Sequence, residues 1–185
     1  MKKYLFVFVL FLGILTATAQ TTSTIPFQEE INVFIKKDSI AMPAANSILF
    51  VGSSSFNYWK DISNYFPGYP IINRGFGGSS LTDIIHFNQE TILKYKPKQI
   101  YIYCGENDFA ASDTITPQIV FERFETLYKI IRTNLGSKIP VLYVSIKPSV
   151  ARWGLEDKFV TANGLIRNYI NMQKNTQFLD VHTAM

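Results

Sequence analysis

Cysteine and histidine are the scarce residues of this chain. Cys104 stands alone among 185 residues, so neither an intrachain disulfide framework nor a thiolate metal cluster is open to it. His86 and His182 are the only histidines, and no H-E-x-x-H motif occurs, which argues against a zinc enzyme. Net charge is small as well. The formal +4 includes Lys2 and Lys3, and without that segment it falls to about +2. No basic run interleaved with aromatics is present, so nothing points to a nucleic-acid partner. Long hydrophobic runs are confined to the amino terminus.

That terminus reads MKKYLFVFVLFLGILTATAQ: two lysines, an apolar stretch from Tyr4 to Leu15, then Ala17-Thr18-Ala19 as an A-x-A cleavage site. The apolar stretch is short for a membrane span, and no cysteine follows it to accept a lipid. Residues 1–19 are therefore expected to be a cleaved secretory signal, with a secreted or periplasmic mature chain that does not stay in the membrane. Residues 20–46 read as a polar N-terminal extension in which INVFIKK forms a short helix or strand. Residues 47–185 suit one domain with a sizeable core.

Within that domain, short and nearly continuous apolar runs recur at 47–52, 69–75, 99–105, 139–146 and 176–182. Such runs are typical of parallel strands covered on both faces. Helical patterns separate them. Ser80-Leu81-Thr82-Asp83 has the form of a capping box, and Thr116-Pro117 places a cap before a proline at the first helical position. Val120, Phe124, Leu127 and Ile131 share one helical face, with Gly136 as the C-cap. Leu155, Phe159, Ala162, Ile166 and Tyr169 form a second stripe. The alternation predicts a three-layer α/β/α domain with a mostly parallel five-stranded sheet. In such domains sites form beyond the carboxyl ends of strands.

Three of those ends carry polar groups. The first is Gly52-Ser53-Ser54-Ser55, where a serine at a strand-to-helix turn is exposed and its amide lies among the free N–H groups of a helix start. This suits a nucleophile whose own amide helps bind an oxyanion, and it equally suits simple capping. The second end, NRGFGGSS (73–80), reads G-x-G-x-x-S. It lacks the third small residue of a dinucleotide fingerprint and the lysine of a P-loop. A glycine amide aimed at a reaction centre and a plain tight turn both fit it. The third end, YCGENDFA (103–110), sets Asn107 just past a strand, either as a donor or as ordinary turn chemistry. Together they offer a hydroxyl, an amide and a carboxamide, the set acyl transfer requires.

The three blocks, in this order, resemble the SGNH or GDSL-type hydrolases, and the resemblance covers about residues 47–182. It implies a flavodoxin-like sheet and a serine esterase or acylhydrolase that needs no metal or organic cofactor. Gly52-Ser53-Ser54-Ser55 aligns with G-D-S-L, which makes Ser54 the implied nucleophile. Gly78 aligns with the oxyanion-hole glycine. Gly105-Glu106-Asn107-Asp108 matches G-x-N-D and makes Asn107 the third donor. The implied substrate is an acetylated carbohydrate or a short acyl ester, and Phe56, Tyr58, Trp59, Phe76, Phe109 and Trp153 are candidates to line its pocket.

Two positions depart from the pattern. Ser53 stands where the family has aspartate. The family's D-x-x-H, which supplies the base, is met here only by Asp180-Val181-His182, and this still reads as strand. On a strand those two side chains would share one face and could meet, but beside the sheet rather than over Ser54. His86 reads as a surface or packing residue. The expectation is a shortened family member without its base and nearly inactive as it stands. A non-catalytic module on the same fold, holding a carbohydrate or anion by backbone amides, is the rival from another class.

Overall fold

A computed structural model describes residues 25–185; the signal expected at 1–19 lies outside the described residues. Five strands, β1 (Ile48–Gly52), β2 (Ile71–Gly75), β3 (Gln99–Tyr103), β4 (Val141–Val144) and β5 (Thr176–Leu179), form one all-parallel sheet in the order β2-β1-β3-β4-β5. This is the doubly wound, flavodoxin-like arrangement, and its direction of winding reverses between β1 and β3. Each strand lies inside an expected apolar run. The runs overshoot at several ends because apolar residues such as Ile146 continue into buried loops beyond the ladder.

The helices are α1 (Gln28–Ile40), α2 (Ser54–Tyr58), α3 (Leu81–His86), α4 (Asn88–Thr91), α5 (Glu106–Ala111), α6 (Pro117–Leu135) and α7 (Glu156–Asn171). Short 3₁₀ turns occupy Ile62–Tyr65, Leu93–Tyr95 and Val150–Leu155. Among the described residues, no helix is long and apolar enough to cross a membrane. Both faces of the sheet are covered. Leu49, Val51, Ile100 and Ile102 meet Ile31, Leu81, Leu127 and Phe159 from α1, α3, α6 and α7. Ile48, Phe50 and Tyr103 on the opposite face meet Phe56 of α2 and Ile62. Phe50 stacks flat on Tyr101, with ring centroids 4.6 Å apart.

Helix boundaries follow local chemistry. Ser80 and Asp83 close the capping box at α3: the Ser80 amide donates to Asp83 Oδ2 at 2.8 Å, and the Asp83 amide donates to Ser80 Oγ at 3.4 Å. Thr116 Oγ1 caps α6 ahead of Pro117, and Gly136 ends that helix at φ +80°. The INVFIKK patch is helical. Its helix buries Ile31 completely and aims Asp38 at a cationic cluster under β2. Arg74 bonds Asp38, Tyr95 and the Asn73 carbonyl, and its guanidinium lies over the rings of Phe34 and Tyr95.

Two stability effects follow. Burial would push the Asp38 carboxyl up, but hydrogen bonds from Lys94 and Tyr95 and the charges of Arg74 and Lys94 outweigh it and hold the group below its ordinary value. The stabilisation from this carboxylate is thus present at neutral pH and is lost as pH falls below about 4. In urea unfolding followed at pH 7 and pH 3, Asp38→Asn should be less stable than wild type at pH 7, and the gap should narrow at pH 3. Gly52 sits at φ +151°, and a Cβ there would lie 2.0 Å from the Tyr103 carbonyl oxygen. Gly52→Ala is expected to cost about 3 kcal/mol or more in the same measurement.

Candidate active site

The last peptide of β1 is the hub of the loops above the sheet. The Ser53 amide donates to the Tyr103 carbonyl at 3.0 Å, and the Gly52 carbonyl accepts the Phe76 amide at 2.9 Å. Ser53 is buried and extended as the N-cap of α2, with its carbonyl receiving the amides of Phe56 and Asn57. Ser54 is therefore the first helical residue. It is half-buried at the sheet's carboxyl edge, and no backbone acceptor takes its amide among the described residues. Gly75 makes the close approach of α2 possible, since a Cβ there would fall 2.6 Å from the Asn57 nitrogen.

The glycine segment after β2 turns back over this end. The Ser79 amide reaches the Phe76 carbonyl at 3.4 Å to close the turn, which leaves Gly78 exposed at φ +86°. Ser79 is completely buried, and its hydroxyl lies 2.9 Å from the Phe76 carbonyl and 3.2 Å from that of Gly52. The turn thus hangs on the strand that presents Ser54.

The third segment, after β3, fastens the second. Asn107 Nδ2 donates to the Ser79 carbonyl at 2.9 Å, while its Oδ1 accepts from Arg152 Nη1 at 2.9 Å. Because guanidinium can only donate, the carboxamide is oriented with nitrogen inward and one N–H beyond the Ser79 bond. Next to it, fully buried Asp108 takes the Leu81 amide at 2.9 Å on Oδ2 and Arg123 Nη1 at 2.8 Å on Oδ1. Burial pushes the Asp108 carboxyl up, and Arg123 opposes that shift. Asn107 and Asp108 so bracket residues 79–81 from both sides. Glu106, which precedes them, accepts from the Tyr103 hydroxyl at 3.0 Å and pairs with Arg152 at 3.1 Å.

Ser54, Gly78 and Asn107 therefore come from three neighbouring strand ends, β1, β2 and β3, joined by bonds through Gly52 and Ser79. The pattern at residues 73–80 and 103–108 exposed Gly78 and Asn107, but not the roles of Ser79, Asp108, Arg123 and Arg152. Arg152 lies 45 positions from Asn107 in the chain, in a 3₁₀ turn with no motif around it. Asp108 had a signal: an acid between Asn107 and Phe109 at a strand end that the sheet buries.

The histidines lie elsewhere. β5 stops at Leu179, short of the expected strand through 182. The Val181 and His182 amides both bond Ser145 Oγ at 3.0 Å, which turns the chain off the ladder. Asp180 does not meet His182. It pairs with Arg167 and receives the Thr183 amide and hydroxyl, and the Thr183 amide is the leading cause of its lowered pKa. His182 bonds the Ile146 carbonyl through Nδ1 at 3.1 Å and Glu156 through Nε2 at 2.9 Å. It follows β5, three strands from β1, an offset of about 14 Å at the usual spacing. His86 is exposed at the end of α3, edge-on to Phe87. Of the six aromatics, Phe56, Phe76 and Phe109 are core residues, Trp59 packs against the second face, and Tyr58 and Trp153 are exposed.

No family model and no curated protein matches this sequence. Solved structures do match. A Streptococcus pneumonia protein named for platelet activating factor superposes with a TM-score of 0.71 at 18% identity, over 84% of this chain and 75% of that one. A GDSL-like lipase from Bacteroides thetaiotaomicron gives 0.69 at 17% identity, over 84% and 79%. A variant of an acetyl-xylooligosaccharide esterase from Geobacillus stearothermophilus gives 0.60 at 11% identity, over 76% and 78%. The fold is that of the SGNH-type hydrolases.

Removing Asp108 would leave the Leu81 amide and Arg123 without their buried acceptor. Asp108→Ala should lose about 3 kcal/mol in urea unfolding, the low end for a broken buried pair because Arg123 is partly exposed. Asp108→Asn, which keeps an acceptor, should lose less.

Proposed function

We propose that this protein is an ester hydrolase that works through an acyl-enzyme on Ser54. The reading rests on one observation: the carboxamide of Asn107 is held by Arg152 and Ser79 at the winding reversal between β1 and β3, on the strand edge that presents Ser54. Sheets of this kind bind ligands at such a point.

In the proposed reaction, Ser54 Oγ attacks the ester carbonyl and its proton passes to a base. The carbonyl oxygen becomes negative and receives hydrogen bonds from the amides of Ser54 and Gly78 and from Asn107 Nδ2. Collapse releases the alcohol, and water then cleaves the acyl group from Ser54. A preorganised donor needs no reorganisation as charge develops, and one is typically worth roughly 2.7–4 kcal/mol. Arg152 is a positioning residue here, because it fixes which end of the Asn107 amide faces inward.

We assign neither histidine as the base, since His182 is bonded to Ile146 and Glu156 three strands from β1 and His86 is exposed at the end of α3. A serine without its base loses on the order of a million-fold in turnover, so this polypeptide alone is proposed to be slow. Its substrate class is a short acyl ester or an acetylated sugar, in keeping with the esterase named among its structural neighbours. Secretion remains part of the proposal through residues 1–19. The engagement of His182 by Ile146 and Glu156 favours a second reading, a non-catalytic carbohydrate- or anion-binding module.

An external base separates the two. With imidazole added, wild type should hydrolyse p-nitrophenyl acetate faster than Ser54→Ala, and equal rates would remove Ser54 as nucleophile and leave the binding module. Asn107→Ala should cut the Ser54-dependent rate by about 100-fold or more, mainly in kcat. Arg152→Ala should cut it about tenfold at similar KM, with Arg152→Lys partly restoring it.

A further inference from the structure

We infer that the cleft between α1, α2 and the end of β2 is an anion subsite, one that recognises a carboxylate or phosphate group on the ligand. The cleft holds about 160 Å³, the space of about five waters. Phe34 and Lys37 of α1, Asn57 and Lys60 next to it, and Arg74 and Gly75 of β2 line it. A contiguous hollow of about 180 Å³ extends it toward Phe76, with the exposed Glu30 at its outer end.

The chemistry of the lining is one-sided. Arg74 is already engaged by Asp38, Tyr95 and the Asn73 carbonyl. Both ends of the Asn73 amide are engaged too, its nitrogen by the carbonyls of Phe56 and Trp59 and its oxygen by the Gly75 amide. What is left over is all donor. Among the described residues Lys37 and Lys60 form no ion pair. Lys60 Nζ meets only Asn57 Oδ1, at 2.9 Å, which takes the amide's single acceptor. Asn57 Nδ2 is then turned toward Gly77, 3.0 Å from where a Cβ on that glycine would stand, and has no acceptor among the described residues. No carboxylate lines the 160 Å³ cleft itself. Two ammonium groups and a half-buried amide N–H in a cleft that Phe34 also lines fit an oxyanion attached to a larger body.

The place of the cleft gives the group its meaning. Asn57 follows Ser54 by three residues on α2, so the two side chains lie on one helical face. Gly75 and Phe76 lead directly into the turn that carries Gly78. A ligand whose acidic group sat in the cleft could extend along α2 toward Ser54. This assignment rests on the ester-hydrolase reading for its role in substrate choice, though not for the binding itself.

Titration of ¹⁵N-labelled full-length protein at low ionic strength, with sodium glucuronate in one arm and inorganic phosphate in the other, tests it. Saturable shifts are expected at the Asn57 side-chain amide and at the backbone amides of Gly75 and Gly77. Saturation by glucuronate alone assigns an acidic sugar, and saturation by phosphate alone assigns a phosphate ester; both uphold the subsite. Lys37→Ala and Lys60→Ala should each weaken binding about threefold to fivefold, and Ser54→Ala should leave it unchanged. No saturable shift in either arm, or affinity indifferent to both lysines, overturns the subsite. Binding that persists while Ser54→Ala and wild type hydrolyse p-nitrophenyl acetate equally would instead end the esterase reading alone.

Discussion

The peptide between Gly52 and Ser53 is the constraint from which the upper surface of this molecule is built. Its carbonyl holds the start of the glycine turn, and its amide holds the end of β3. The bond to β3 requires an approach closer than any side chain at 52 would allow, because the space a Cβ would need is filled by the Tyr103 carbonyl. Three chain segments far apart in sequence are therefore held together at a single peptide. The conformation at φ +151° is open to glycine at little cost, so the strain other residues would bring is avoided.

A second layer of bonds turns proximity into rigidity. Asn107 and Asp108 grip the backbone on either side of Ser80, one at a carbonyl and the other at an amide. Their own partners, Arg152 and Arg123, come from the 3₁₀ turn after β4 and from α6. The candidate site is thus tied to elements on several sides, and its parts are held by side chains engaged at both ends. Such support is what lets a donor keep its direction when charge appears beside it.

Much of the fold was legible in the sequence because the strands are short and mostly apolar, β1 being buried along its whole length. The caps at Ser80, Thr116 and Gly136 were legible for a related reason, since each is settled by residues within a few positions. Less accessible were features decided by distant partners. The patch in α1 did not declare itself helix or strand, because its outer face carries Val33, Ile35 and Ile40 exposed alongside the buried Ile31. The motif blocks put Ser54, Gly78 and Asn107 at three strand ends, where they lie, but Arg152 was out of reach, since it follows the next strand, 45 positions from Asn107. The end of β5 was misplaced for want of any local signal: the chain leaves the ladder because Ser145 Oγ draws off two successive amides.

The buried guanidinium under β2 has a practical bearing on how this protein can be handled. Arg74 is stacked between two rings and balanced by a carboxylate that comes from α1. A shortened expression clone that began at the first strand would strip away both the Phe34 ring and the counter-charge, leaving two neighbouring cations, Arg74 and Lys94, without their shared anion. The helix from Gln28 to Ile40 is therefore best kept in any trimmed or fused version, however dispensable its polar composition makes it look on paper.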